Sequence, residues 1–420
     1  MAVAAVLVAQ GTLLAWNAWH YDWLRGYDAY ANDQYASTVA DEHRLPSPDD
    51  SGVWHTPPLW FALAGVLRRA ALDHGWGPAQ RPGQLLAAAA GLVVCVLVLL
   101  LGRELWPDRR AFHLLALVFA AASPALVRAS AMYHPETLAV ALAAGGLLVA
   151  VHALRTRWTI WSSLSAGVLL GLAGLTRAWA LPVLVAVGLA ACLDAWARRR
   201  WVPVAVLVAT ALVLVGPWLA NEQLAHGSPL AFNRDAPPGS LAHRRPASFY
   251  LGPRTLRALE HPVTPLFRNE LVPHLYADWW GDWALTWDSP PPPAPSELLP
   301  SSVVSERARQ SVVGLLPSVL ALAGIVALAL VAVARRSTAI GLLPLTAVAV
   351  AAAYTLFAVV YPSTDGDTIK GTYLLMALPV ASVGVGFVVD TLRPRSRAGA
   401  ALTVGAVVLF VVVQLPFLVL

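Results

Sequence analysis

Apolar runs recur along this chain near 2–19, 83–102, 112–131, 136–152, 160–175, 178–194, 201–219, 311–334, 338–360, 372–391 and 399–419. Each approaches the roughly 20 residues a helix needs to cross ~30 Å of hydrocarbon. The pattern predicts an all-α polytopic membrane protein of about eleven transmembrane helices. The polar positions between the runs sort by arginine: "GRELWPDRR", "RTR", "ARRRW", "ARRS" and "RPRSR" fill every second loop, and the intervening loops carry few arginines or none. Arginine-rich loops face the cytoplasm. This puts residues 20–82, "YHPE", "LTR", 220–310 and "STDGDTIKG" outside, with the N-terminus inside and the C-terminus outside.

Within what reads as a single integral membrane domain, 1–420, two exterior loops are long. In the first, 20–82, Tyr27, Ala31, Tyr35 and Val39 recur every fourth residue. They predict a helix lying at the membrane interface, with Asp28 and Asn32 on the neighbouring face. "HTPPLWFALAGVL" follows, with its prolines at a helix start, where their missing N–H groups cost nothing. Arg68 and Arg69 interrupt it too early for a span. In the second loop, 220–310, "YADWWGDWALTWD" sets Trp279, Trp280, Trp283 and Trp287 at helical spacing beside Asp278 and Asp282. This predicts a second interfacial helix, and "SPPPPAP" at 289–295 predicts an extended polyproline spacer.

Composition agrees with a bilayer as solvent: 58% hydrophobic and 13% charged residues, with a mean hydropathy of +0.62, exclude a soluble globular protein. The formal charge of +5 does not imply a nucleic-acid partner, because the arginines sit in small groups between apolar runs. Cys95 and Cys192 lie inside such runs and read as packing residues. Residues 1–19 lack a basic n-region and a small-residue cleavage motif, so they read as a retained helix. Heavy use of Ala, Val and Arg suggests a GC-rich bacterial genome, and the plasma membrane is the expected location.

Interfacial anchoring explains most of the 17 tryptophans. Three groups of polar residues ask for more. Asp28, just past the first run, could stay ionised near an apolar surface and act as a general base, or could simply cap a helix. Lys370, the chain's one lysine, and Arg177 in "GLAGLTRAWALP" are cations beside apolar helices that suit a phosphate ligand. The bland alternatives are pairing of Lys370 with Asp365 or Asp367 and snorkelling of Arg177. In "MYHPETLAV", helix-start chemistry accounts for Glu136, though His134 and Glu136 would face the same exterior cavity. Asn32, His55, Asp278, Asp282 and Tyr373 complete the candidate substrate contacts.

"GYDAYANDQYASTVADEHRLP" followed by "HTPPLWFALAG" resembles the first exterior loop of the GT-C superfamily of membrane glycosyltransferases. The likeness is to the glycosyltransferase family 39 group, which includes protein O-mannosyltransferases and the lipid A aminoarabinose transferase. "GLAGLTRAWALP" and "DTIKGTYLLMALP" extend it in the right order over most of the chain. The resemblance implies an inverting transferase that moves a sugar from a polyprenyl-phosphate carrier to a lipid, glycan or protein acceptor on the extracytoplasmic side. It implies Asp28 as the base, and Arg177 and Lys370 as ligands of the carrier phosphate. The family often has an acidic pair where Asp28-Ala29 stands and a histidine where Asn32 stands. These departures leave open a divalent metal and the acceptor class. Two other readings use the same basic cavity: a transporter or flippase of a lipid-linked sugar, and an inactive glycolipid-binding membrane partner.

Overall fold

The computed structural model describes residues 1–230, 249, 250, 252, 256–260, 262, 270–281, 301–360, 370–392, 405, 408, 410–415, 418 and 419. Among them there is helix and no strand: the fold is all-α and polytopic. The principal helices are α1 (Ala2–His20), α2 (Ala29–Ser37), α3 (Leu59–His74), α4 (Arg81–Leu105), α5 (Arg110–Ala121), α6 (Pro124–Ala131), α7 (Glu136–Arg155), α8 (Ile160–Thr176), α9 (Leu181–Arg198), α10 (Val202–His226), α11 (Leu271–Trp280), α12 (Ser301–Arg335), α13 (Thr338–Val360) and α14 (Leu378–Leu392).

Eight segments of the described residues are long and apolar enough to cross a membrane. The expected span 112–131 is broken: α5 and α6 meet at 54°. Pro124 cannot continue the preceding helix, and it drives Ser123 into an extended conformation (φ −71°, ψ 114°). The expected span 160–175 is the shorter apolar helix α8. Most of the expected span 399–419 lies outside the described residues.

The helices alternate in direction, so the loops sort to two ends. At the arginine-rich end Arg109 lies 3.6 Å from Asp390, and Arg155 lies 3.3 Å from Glu104. At the other end the ring of His226, in the last turn of α10, rests 4.2 Å from that of Trp54. Exposed tryptophans mark both levels: Trp16, Trp19 and Trp76 at the arginine-poor end, and Trp161, Trp196 and Trp201 at the arginine-rich end. This is where indole rings sit against headgroups.

The first long loop is ordered across the arginine-poor end. Thr56, before α3, accepts from Arg177, while Arg81, after it, donates to the carbonyls of Ala18 and Tyr21. Both ends of α3 therefore lie at one level, and the helix runs along the surface. The stripe expected on α2 packs against α3 instead of against lipid: the Tyr35 ring stacks on Phe61 at 3.9 Å. Arg68 and Arg69 pair with Asp33 and Asp41 to fasten the two helices.

In the absence of a hydrophobic force between helices in lipid, close backbone approach does the work. At the crossing of α12 and α14, a Cβ on Gly324 would lie 2.3 Å from the Gly384 carbonyl carbon. No flexible side chain is there to yield. Gly384→Leu is therefore expected to separate the two helices and destabilise the protein by at least about 1–3 kcal/mol, read as a lowered thermal unfolding midpoint in detergent. The same change at Gly188, which has nothing within 4 Å of its Cβ position, should have little effect.

Candidate active site

Two cation–carboxylate pairs converge at the arginine-poor end. Lys370 Nζ donates to Asp28 Oδ2 at 2.6 Å, joining residues 342 positions apart. Arg177 Nε donates to Glu136 Oε1 at 2.6 Å, and its Nη1 donates to Thr56 Oγ1 at 3.3 Å.

Asp28 stands at the N-cap of α2, yet its side chain caps nothing. Its backbone is left-handed (φ 53°, ψ 20°), a conformation that aspartate tolerates better than most residues and that is found preferentially at functional positions. The capping explanation therefore falls away, because the carboxylate is turned to Lys370. It remains 34% exposed, so it is open to an incoming molecule. Burial raises its pKa, but the ammonium of Lys370 beside it outweighs that and holds the carboxyl down at about 2. Lys370 sits just before the helical turn Gly371–Ala377 that leads into α14, and burial disfavours its charge, but Asp28 raises it above the ordinary lysine range. The expected partners Asp365 and Asp367 lie outside the described residues, as does Asp282.

Arg177 does not snorkel: it is 8% exposed, between the end of α8 and the start of α9. Burial opposes its charge, and Glu136 across from it restores and raises its pKa. Its guanidinium lies 5.5 Å over the Tyr373 ring, which stacks on Trp179 at 4.7 Å. Phe357 follows, edge-on to Trp179 at 4.8 Å. An aromatic wall thus runs from Arg177 to α13, whose Leu356 is exposed on the bundle surface.

Two histidines face the same charges. Burial and then Arg177 push the His55 imidazole down to about 4, and push His134 well below the ordinary histidine value. Both ring nitrogens of His134 are buried without a hydrogen-bond partner among the described residues. Asn32 takes a different place from the one expected. Its amide donates to the carbonyls of Tyr27 at 3.3 Å and Tyr133 at 3.0 Å, so it holds the chain on either side of the site and is itself 1% exposed.

Asp278 on α11 is also turned inward. One oxygen accepts from the Tyr27 hydroxyl and the other from the Gly371 backbone N–H at 2.5 Å. It thereby grips the immediate neighbours of Asp28 and Lys370. Gly371 is small for the same reason: a Cβ there would meet Asp278 Oδ2 at 3.1 Å and the Trp279 nitrogen at 3.2 Å. Arg128 of α6 donates to the carbonyls of Asp278 and Trp279, the latter at 3.2 Å, and so holds the C-terminal end of α11. Sequence reasoning passed over Arg128, Thr56 and Trp179, and read Tyr27 only as part of an apolar stripe. Only Arg128 had a local signal, as a lone charge within an apolar run.

Among the described residues no three His, Cys, Asp or Glu side chains converge as a metal site would need. The Asp28 carboxylate faces an ammonium, and Asp278 is engaged on both oxygens.

The chain shares its fold with solved structures of ArnT and of an archaeal oligosaccharyltransferase. ArnT from Cupriavidus metallidurans in the apo state matches at a TM-score of 0.53 and 16% identity, over 93% of this chain and 60% of that one. The same protein bound to undecaprenyl phosphate matches at 0.53 and 15%, over 94% and 61%. The archaeal oligosaccharyltransferase AglB from Archaeoglobus fulgidus, in complex with an inhibitory peptide and a dolichol-phosphate, matches at 0.53 and 15%, over 98% and 55%. The chain thus spans less than two thirds of the length of these proteins. No protein-family model matches it, and no curated protein sequence matches it.

Two outcomes test this geometry. Glu136→Ala strands the buried Arg177 charge and is expected to cost about 3–5 kcal/mol, measured as a fall in unfolding midpoint. His55 binds its proton more weakly folded, at about 4, than unfolded, near 6.5. The unfolded state therefore holds more protons between those values, and stability should rise with pH across that window. His55→Asn should flatten the rise in a thermal scan from pH 4.5 to 7.

Proposed function

We propose that the chain is an inverting glycosyltransferase that moves a sugar from a polyprenyl-phosphate carrier to an acceptor on the extracytoplasmic face of the plasma membrane. One observation carries the reading. The Asp28–Lys370 pair stands beside a buried Arg177, at the arginine-poor end of a fold shared with proteins solved bound to undecaprenyl phosphate and dolichol-phosphate. The positive-inside rule supports the exterior location of that end.

The donor phosphate lies against Lys370 and Arg177, and its prenyl tail runs along Trp179, Tyr373 and Phe357 towards lipid. Lys370 then has two anions to serve. Each share of its charge given to phosphate is withdrawn from Asp28, whose carboxylate becomes more basic, so arrival of the donor activates the base. Asp28 takes the proton of the acceptor hydroxyl or amine as its lone pair attacks the anomeric carbon. The bond from that carbon to the phosphate oxygen breaks on the opposite face, and the electron pair leaves with the phosphate. Lys370 and Arg177 stabilise the charge that develops there, which preorganised groups do without reorganising. His134 and His55 stay neutral at physiological pH and are placed to hydrogen-bond the donor. The acceptor, whether lipid, glycan or protein, approaches the exposed side of Asp28.

Transfer of radiolabelled sugar from polyprenyl-phosphate donors in reconstituted vesicles tests the proposal. Asp28→Asn is expected to lose about 10²–10⁴-fold in transfer, the span of general-base catalysis, with donor binding retained. Lys370→Ala should weaken donor binding as well. Movement of labelled carrier across the bilayer with no sugar transferred by the wild type would instead establish a flippase.

A further inference from the structure

The helix α7 rises roughly 30 Å between Glu136 and Arg155, so whatever lies beyond Arg155 is at the end of the bundle remote from Asp28. A cleft opens there between the α7–α8 loop, the end of α9 and the start of α10, lined by Arg157, Trp158, Asp194, Arg198, Arg200 and Pro203 among others. Its charges do not balance. Arg198 Nε donates to Asp194 Oδ1 at 2.8 Å, which neutralises that pair. Arg157 and Arg200 stand exposed at its mouth, with no ion-pair or side-chain hydrogen-bond partner among the described residues.

Trp158 supplies an independent observation. It is 7% exposed, and its indole N–H is buried without an acceptor among the described residues. Buried donors in folded proteins are nearly always paired. Two exposed guanidinium groups beside an indole N–H that lacks an acceptor suit an anionic group rich in acceptor oxygens. The setting narrows the choice further: Trp161, Trp196 and Trp201 are exposed on the adjacent surface, at the depth where indole rings meet headgroups. Basic clefts between membrane helices hold the headgroups of anionic lipids.

We propose that this cleft is a binding site for the phosphate of an anionic phospholipid from the leaflet on the arginine-rich side. Arg157 and Arg200 donate to its non-bridging oxygens, and Trp158 donates its indole N–H. The site is independent of the chemistry assigned to the opposite end.

The test uses the full chain, delipidated in detergent, with phosphatidylglycerol or phosphatidylcholine added back and retained lipid counted by native mass spectrometry. Wild type should retain phosphatidylglycerol in preference to phosphatidylcholine by about tenfold, the worth of one charge-assisted contact. The double variant Arg157→Gln, Arg200→Gln should lose that preference. Trp158→Phe, which keeps a ring in place and removes only the donor, should weaken it. Arg335→Gln, Arg336→Gln, which removes the same charge elsewhere on the same face, should leave it intact. Equal loss in both double variants would reduce the effect to bulk attraction and overturn the site. Equal retention of the two lipids would also overturn it. Displacement of phosphatidylglycerol by millimolar inorganic phosphate would assign the cleft to a soluble phosphate compound and overturn the lipid reading.

Discussion

The structure depends on keeping charge at the edge of an apolar bundle. An ion between closely packed helices is costly unless it is paired and hydrogen-bonded, and removal of one partner leaves the other stranded. Lys370 and Asp28, with Arg177 and Glu136, solve this in the resting protein by neutralising one another. The two pairs are not alike. Glu136 is fully buried and holds Arg177 permanently, whereas Asp28 is open on one side. The first pair is a fixture of the bundle, and the second is a contact that an incoming anion can contest.

Around these pairs, neighbouring elements hold the backbone in place. Asp278 grips Tyr27 and Gly371, the residues next to Asp28 and Lys370, so the helix α11 braces both members of the pair from behind. Asn32 ties the chain after Tyr27 to the carbonyl that precedes His134. A carboxylate and an amide that the sequence offers as ligand contacts are thus consumed in positioning. In the proposed reaction the groups that meet the ligands are Asp28, Lys370, Arg177, His134 and His55.

The spans were legible because hydropathy over some 20 residues is a strong and local signal. The sorting of the loops to two ends was legible because arginine alternates between them. The break at Pro124 was harder to foresee: the run stays apolar across it, and only the proline marks it. The surface course of α2 and α3 followed from their short apolar stripes, but their partner did not, since a stripe facing lipid and one facing a neighbouring helix read alike. Asp28, Arg177 and Lys370 were found as charges out of place. Their pairing was hidden because no local pattern joins residue 28 to residue 370, or 136 to 177. Capping propensity even pointed Asp28 the wrong way: the residue stands at the N-cap, but its carboxylate is turned to Lys370.

The broken α5–α6 segment has a mechanical consequence. Because α6 departs from the line of α5 by 54°, Arg128 meets the end of α11 and suspends it from the bundle itself. The height of α11, and with it the spacing of Tyr27 and Gly371, is therefore referenced to protein and not to the lipid surface. Bilayers differ in thickness by several ångströms, and helices answer by tilting or by deforming the lipid around them. A site hung from an internal bracket keeps its dimensions while the surrounding spans adjust, so one geometry serves in membranes of different composition.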